Sequence, residues 1–151
     1  MSARRSGVVS SAAGGHHGNF TIFAKDDGSV WAMGSNTYGQ FGTGETSNPK
    51  SPVEVLAEGV AAGSPGSRFG YVLKNDGALL YHGGSTGPTP TEYLSEGVMQ
   101  VANPYLKSVY LKEDGSLWRQ YLTGQAEQLE TSGVAVVAGT NQHILYIKED
   151  G

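Results

Sequence analysis

Residues 20–34, FTIFAKDDGSVWAMG, decide the fold of this chain. The tetrapeptide at their centre, Lys-x-Asp-Gly, occurs four times, at residues 25–28, 74–77, 112–115 and 148–151. The three residues before each lysine are apolar, and such a β-branched and aromatic run predicts a strand that is covered on both faces. The Asp-Gly pair predicts a type I′ turn with two positive φ angles, followed by a returning strand. Each copy is therefore expected to form at least a β-hairpin.

A second marker, the dipeptide Gly-Val, divides the chain into units. It begins at Gly7, Gly59, Gly97 and Gly133, and a further strand is expected at each of these positions. The lysine follows the valine by 14 residues in the last three units and by 17 in the first, which therefore carries three extra residues. The predicted division is a leader at 1–6 and units at 7–58, 59–96, 97–132 and 133–151, the last of them shortened.

The composition restricts the fold to a turn-rich β protein. The chain has 151 residues, about the size of one domain, with 23 glycines, 38% hydrophobic residues and 16% charged residues. This composition excludes helix bundles and coiled coils, and the absence of a three-residue glycine period excludes collagen. A short stretch without glycine, residues 125–130, is expected to form at most one or two helical turns.

Charge and cysteine content exclude several kinds of partner and site. With 14 acidic and 10 basic residues the formal charge is −4, so nucleic acid is not an expected partner. The chain has no cysteine, which excludes disulfides and thiolate zinc sites.

The densest apolar run, residues 134–138, is too short to span a membrane, and no membrane partner is expected. No apolar segment of signal-peptide length follows Arg4 and Arg5, so we expect a soluble protein and slightly favour the cytoplasm.

Small sheets that are apolar on both faces must stack on one another to be stable. Radial stacking into a β-propeller covers both faces and leaves only short, protected edges. The sequence therefore predicts an all-β fold in which each unit forms one blade of a propeller. Trp31, Leu80 and Trp118 occupy the same position of the repeat, and this shared register favours packing between blades over sugar stacking.

The first unit resembles the repeat of the regulator of chromosome condensation family. In that family Lys-x-Asp-Gly is followed by Val-Trp-x-x-Gly-x-Asn-x-x-Gly-Gln-Leu-Gly-x-Gly. Residues 25–44 follow this pattern, with Met33 where a second aromatic residue is common and Phe41 in place of the leucine. The resemblance extends over residues 7–151 but weakens along the chain, because the later units lack most of the glycine-rich segment. In that family a histidine typically stands five residues before the lysine. In this chain only the last unit has it, as His143.

The resemblance implies a ring of about seven blades, of which this chain holds three full units and half of a fourth. We therefore expect a partial ring, which is a fragment of a larger propeller; the alternative is that copies of the chain assemble into one ring. The family resemblance would allow guanine nucleotide exchange on a small GTPase, and related propellers inhibit β-lactamases. The sequence favours neither activity and indicates a non-enzymatic module that recognises a macromolecule.

The loops before the second strand of each unit are expected to gather at one end of the propeller. They lie at residues 15–19, 64–68, 103–106 and 140–142, and their side chains differ sharply. The candidate binding residues are His16, His17, Tyr38, Arg68, Tyr105 and Asn141, where Tyr38 comes from the glycine-rich loop of the first unit. The expected partner is another protein or another copy of this chain. Carbohydrate binding through Tyr38 and Tyr105 is one alternative, and unselected variation of the loops is another.

No catalytic or metal site is predicted. His16 and His17 are neighbours in sequence, so on an extended strand they would point to opposite faces and could not bind one metal ion together. The recurring aspartates, such as Asp27, are explained by turn chemistry. The glycines of residues 39–44 precede no Gly-Lys-Ser/Thr motif, so a phosphate-binding loop is not indicated. The chain is therefore expected not to be an enzyme and to use no cofactor.

Overall fold

The computed structural model describes residues 7–13, 19–102, 107–121, 124–139 and 143–151. These residues form three four-stranded antiparallel sheets and one two-stranded sheet, in which successive strands are neighbours. The predicted all-β partial propeller is confirmed, with three complete blades, half of a fourth, and no closed ring within the described part. The only helical segment among the described residues is the 3₁₀ turn Gly84–Thr86, so none of their helices could cross a membrane.

The described residues contain fourteen strands. The first sheet comprises β1 (Val8–Ala13), β2 (Phe20–Lys25), β3 (Val30–Gly34) and β4 (Val53–Leu56). The second comprises β5 (Val60–Pro65), β6 (Phe69–Lys74), β7 (Leu79–Gly83) and β8 (Thr91–Leu94). The third comprises β9 (Val98–Ala102), β10 (Lys107–Lys112), β11 (Leu117–Tyr121) and β12 (Glu127–Glu130), and the fourth comprises β13 (Val134–Gly139) and β14 (Ile144–Lys148).

The turn that joins β2 to β3 is not the predicted type I′ turn. Of its residues only Gly28 has a positive φ, of 81°. The Gly28 amide donates to the Lys25 carbonyl at 3.0 Å, and the Lys25 amide donates to the Ser29 carbonyl at 2.9 Å. This geometry is a type I turn closed by a glycine bulge, which needs one left-handed residue instead of two. Asp27 stabilises it because Oδ1 accepts a hydrogen bond from the Ser29 amide, and the second and third sheets repeat this contact.

The fourth strand of each complete sheet extends the blade beyond the predicted hairpin. β4, β8 and β12 each end three residues before the next Gly-Val pair. The helical turns allowed for residues 125–130 do not form, because Glu127–Glu130 pairs with β11 as an edge strand. Leu129 packs from this strand against the core shared with the fourth sheet. Pairing with β11 and partial burial of Leu129 outweigh the helix propensity of the surrounding glutamates and glutamines.

Neighbouring sheets share three hydrophobic cores, which join the first sheet to the second, the second to the third and the third to the fourth. Burial on both faces is confirmed for β6 and β10, which lie in the two middle sheets. β2 instead alternates between buried and half-buried residues, and β14 is largely exposed. The reason is that, within the described residues, the first and fourth sheets have a neighbour on one side only.

The two ends of the propeller carry different connections. At one end, here called the turn end, lie the Lys-x-Asp-Gly turns and the segments that lead into β5, β9 and β13. Backbone hydrogen bonds join neighbouring sheets there, as when Val98 N donates to the Gly77 carbonyl at 3.0 Å. At the other end, here called the loop end, lie the described connections that follow β3, β5 and β7. Tyr38 and Arg68 both belong to the loop end.

Candidate binding site

Two of the predicted binding residues lie together at the loop end. Arg68, between β5 and β6, places its guanidinium carbon 4.6 Å from the centroid of the Tyr38 ring. Tyr38 belongs to the loop between β3 and β4 of the neighbouring sheet. Tyr38 is 45% exposed and Arg68 is exposed as well. The pair is therefore a cation–π contact that links two sheets and faces solvent.

The other predicted binding residues, His16, His17, Tyr105 and Asn141, lie outside the described residues. Their contribution to a binding surface stays a prediction. In the part of the chain that the structure describes, no group of three His, Cys, Asp or Glu side chains is placed to hold a metal ion.

The loop that carries Tyr38 is held in place by two buried side-chain amides. Asn36 Oδ1 accepts a hydrogen bond from the Phe41 amide at 2.9 Å, and its Nδ2 donates to the Glu45 carbonyl at 2.9 Å. Gln40 Oε1 accepts a hydrogen bond from the Tyr38 amide at 2.8 Å. Asn36, Gln40 and Phe41 are all buried. Because these contacts satisfy backbone groups that no sheet pairs, the loop presents Tyr38 from a fixed position.

The same loop packs on the second sheet. Gly84 N donates to the Tyr38 carbonyl at 3.0 Å, and Gly44 N donates to the Pro88 carbonyl at 2.8 Å. Gly39 has a φ of 71°, and a Cβ at this position would lie 2.6 Å from Pro88 Cα. Both the backbone angle and the close approach require glycine. The glycines of this loop therefore serve turns and packing between units.

His82, in β7, is buried beneath this loop. Its ring lies between Gly42 and Gly70, where added Cβ atoms would come within 3 Å of the ring. Neither ring nitrogen has a hydrogen-bond partner among the described residues. A backbone group of Gln40 near the ring slightly favours the protonated form, but burial outweighs it and lowers the pKa of His82 to about 4. His82 is therefore neutral at pH 7 and acts as a packing group.

A cavity of about 140 Å³ opens at the loop end between the second and third sheets, and its described lining includes neither Tyr38 nor Arg68. Its wall includes Phe69, Tyr71, Tyr81, Tyr93 and Tyr121, and the ring centroids of Tyr71 and Tyr81 are 5.0 Å apart. The sequence contains a signal for this cavity. When the units are aligned on their lysines, Tyr71 and Tyr81 of the second unit take the places of Ile22 and Ala32 in the first. Aromatic residues in these core positions mark the second unit as different.

The polar groups around this cavity bond largely to one another. Ser108 Oγ donates to Tyr71 Oη, and Tyr93 Oη donates to Gln120 Oε1, both at 2.9 Å. Burial raises the pKa of the Tyr71 hydroxyl and that of Tyr93, so both hydroxyls are uncharged at neutral pH. Lys107 is the one charged side chain among the described lining residues, and it forms no ion pair with them or with the rest of the described chain.

The repeated position of Trp31, Leu80 and Trp118 serves packing in two of the three complete sheets. Leu80 packs against the first core and Trp118 against the second. Trp31 is half-buried on the side of the first sheet that faces away from the second. There Lys25 Nζ lies 3.7 Å from its ring centroid. The expected packing between blades therefore holds for Leu80 and Trp118, whereas no described sheet covers Trp31.

Two family models of the regulator of chromosome condensation (RCC1) repeat match the sequence, one over residues 27–67 and one over residues 8–40. The fold is similar to that of human WBSCR16, with a TM-score of 0.83 and 16% identity over 99% of this chain and 47% of that one. It is also similar to Saccharomyces cerevisiae Prp20p, with a TM-score of 0.72 and 16% identity over 93% of this chain and 44% of that one. Yeast RCC1 (Prp20) in its complex with Kap60 gives a TM-score of 0.73 and 16% identity over 100% of this chain and 44% of that one. The chain thus spans less than half the length of these structures.

Proposed function

Because the chain is built from regulator of chromosome condensation repeats, we propose that it is a non-enzymatic protein-binding module that recognises its partner through the loop end. Tyr38 and Arg68 form the centre of the proposed surface. The observation that carries the proposal is their exposed contact across two sheets. Yeast Prp20p binds Gsp1p and histones, and yeast RCC1 (Prp20) binds Kap60, which supports protein recognition by this fold.

Tyrosine and arginine are well suited to the proposed role, since both are enriched among the residues that dominate interface energies. The Tyr38 ring offers apolar area with few rotatable bonds to order. Arg68 makes no ion pair with a described carboxylate, so its guanidinium can donate to an acidic group of the partner. The buried amides that hold the Tyr38 loop reduce the entropy cost of binding, because the loop is already ordered.

Affinity capture with matched variants tests this proposal. We would immobilise the wild-type chain, the double variant Tyr38→Ala and Arg68→Ala, and the control double variant Glu58→Ala and Glu96→Ala, whose exposed side chains lie at the turn end. A specific partner in an extract of the source cells should bind the wild type and the control equally. It should bind the loop-end variant at least about tenfold more weakly. Equal capture by all three would contradict the proposal.

A second candidate function is self-association, which the exposed face of the fourth sheet favours. Leu145 and Ile147 are 69% and 59% exposed, whereas the residues at the same repeat positions in the second sheet, Tyr71 and Leu73, are 4% and 3% exposed. An apolar face of this kind is covered in the middle sheets by the next sheet. Sedimentation equilibrium decides this candidate, since a monomer at micromolar concentration would exclude it.

A further inference from the structure

We propose that the cavity between the second and third sheets receives a phenyl-sized side chain of the partner, beside a carboxylate that pairs with Lys107. The occupant is therefore a peptide segment in which phenylalanine adjoins aspartate or glutamate. This inference rests on the proposed function, because it specifies what the partner presents to the loop end. It adds a site between the second and third sheets to the Tyr38 and Arg68 surface, which joins the first sheet to the second.

The size and the wall of the cavity fit an aromatic ring. Its volume of about 140 Å³ is close to that of an engineered protein cavity of about 150 Å³ that binds benzene. The rings of Phe69, Tyr71 and Tyr81 pack with centroid separations between 5.0 and 6.2 Å and at interplanar angles from 39° to 87°. An entering ring therefore meets both edges and faces, which are the contacts that aromatic pairs prefer.

The hydrogen bonds around the cavity favour phenylalanine over tyrosine. Tyr71 and Tyr93 are already bonded to Ser108 and Gln120. The Gln120 amide also donates to the Tyr121 carbonyl at 2.8 Å, so its polar atoms are engaged. A ligand hydroxyl would find Tyr71 Oη and Gln120 Oε1 already accepting hydrogen bonds, so its loss of water contacts costs free energy. A plain phenyl ring avoids that cost.

The charge around the cavity favours an anionic group next to the ring. Lys107 is half-buried at the cavity and has no carboxylate partner among the described residues. Lys107 is the one charged side chain of the described lining, so a guest in the cavity meets a positive charge. A cationic guest would gain from the aromatic faces but would be repelled by this amine. Among guests that carry a phenyl ring, Lys107 is therefore expected to favour those with a carboxylate.

The cavity adjoins the proposed binding surface. Gly84 lies between them, since a Cβ at this position would be 3.6 Å from Tyr81 Oη and 3.8 Å from the Arg68 carbonyl oxygen. The next residue, Ser85, is exposed and lines the cavity. One extended partner segment can therefore reach both Arg68 and the cavity.

Small probes test the cavity separately from any partner. We would titrate the isotope-labelled chain with 3-phenylpropionate, 3-phenylpropanamide and 2-phenylethylammonium and follow its NMR shifts. The acid should move the resonances of Tyr71, Tyr81 and Tyr121, and it should bind about two- to fivefold more tightly than the amide, as expected for a partly exposed ion pair. The ammonium compound should bind more weakly than the amide. Equal or tighter binding of the ammonium compound, or no shifts with the acid, would overturn the proposal.

Variants with matched controls locate the binding groups. Lys107→Gln should abolish the preference for the acid over the amide, whereas Lys50→Gln, at an exposed lysine outside the lining, should preserve it. Ser85→Trp places a large side chain at the cavity and should reduce binding of all probes at least fivefold. Ser95→Trp, at an exposed serine of the turn end, should leave the binding of all probes unchanged. An unchanged acid preference in Lys107→Gln would show that the proposed ion pair is wrong.

The two proposals fail in different ways. The double variant Tyr38→Ala and Arg68→Ala should lose partner capture and keep its affinity for 3-phenylpropionate. If the probe does not bind and capture still depends on these two residues, the cavity inference is wrong and the proposed function stands. If the probe binds and capture is independent of them, the cavity is a ligand site and the proposed surface is wrong.

Discussion

The turn end of this propeller is regular from sheet to sheet, whereas the loop end is irregular. At the turn end, one tetrapeptide, one glycine bulge and one set of backbone hydrogen bonds recur from sheet to sheet. Its charged side chains pair there both within one hairpin, as when Lys74 Nζ lies 3.0 Å from Asp76 Oδ2, and between sheets, as when Lys148 Nζ lies 3.0 Å from Glu130 Oε2. At the loop end the described connections after β3, β5 and β7 differ from one another, and Arg68 and Lys107 have no carboxylate partner among the described residues.

This difference shows how a repeat protein divides its residues between stability and recognition. The repeated turns satisfy their own backbone amides with aspartate side chains, in the same way in each complete sheet. Departures from the repeat, namely the long loop of the first unit and the tyrosines of the second, create the exposed pair and the cavity. Recognition is therefore expected where the units differ, because loops on a rigid framework vary without loss of the fold.

The largest expected effect concerns the buried histidine beneath the loop end. The pKa of His82 is about 4 in the folded chain and about 6.5 when unfolded. Between pH 4 and pH 6.5 this histidine is protonated in the unfolded chain and neutral in the folded chain. Its neutral, buried state therefore contributes fully to the free energy of unfolding above about pH 6.5, and this contribution is lost as the pH falls towards 4. The loss should reach about 3 kcal/mol. His82→Leu should remove it, as measured by urea unfolding at pH 7 and pH 4.

The control for this prediction is His143→Leu, because His143 is exposed. This variant should show the same pH dependence of unfolding as the wild type. The comparison between pH values cancels any constant change in packing that leucine causes at either site. An equal decline in wild type and His82→Leu would contradict a neutral, buried ring at residue 82.

A second prediction compares glycines at the two ends. Gly77 at the turn end and Gly44 at the loop end have nearly the same φ, 82° and 83°. A Cβ at Gly77 would lie 2.9 Å from the Gly97 amide nitrogen, whereas a Cβ at Gly44 would meet nothing within 4 Å. Gly77→Ala should cost about 2–3 kcal/mol and Gly44→Ala about 1 kcal/mol, since only the first adds a backbone clash to the left-handed strain. Equal losses in urea unfolding would show that the turn end has no special rigidity.

Much of the fold could be predicted from the sequence, because the spacing of Gly-Val and Lys-x-Asp-Gly is regular enough to reveal the repeat. The turn type could not, since Asp-Gly suits both a type I′ turn and a type I turn with a glycine bulge. The edge strands were also hidden, because four residues such as Glu127–Glu130 carry little periodicity. Their position three residues before each Gly-Val pair is the signal that could have identified them.

The candidate site was predictable only as separate residues. Tyr38 and Arg68 could each be identified from its loop, but their contact depends on how the first two sheets pack. The cavity depends in the same way on the second and third sheets, and its residues are spread from Phe69 to Tyr121. A repeat pattern specifies the blades and not the side chains that meet between them. The substitution of core aliphatic positions by Tyr71 and Tyr81 was the available hint.

The smallest expected effect is on stability, at the exposed pair itself. Arg68→Gln removes the cation that lies over the Tyr38 ring, and an exposed contact of this kind contributes about 0.5–1 kcal/mol. The free energy of unfolding in urea should therefore fall by no more than about 1 kcal/mol, and Arg68→Lys should recover part of the loss. A loss as large as that of Gly77→Ala would place Arg68 in the framework of the propeller, and the division between its two ends would fail. A small loss, combined with reduced partner capture, means that the side chain is kept for recognition, because its contribution to the fold is too slight to require an arginine there.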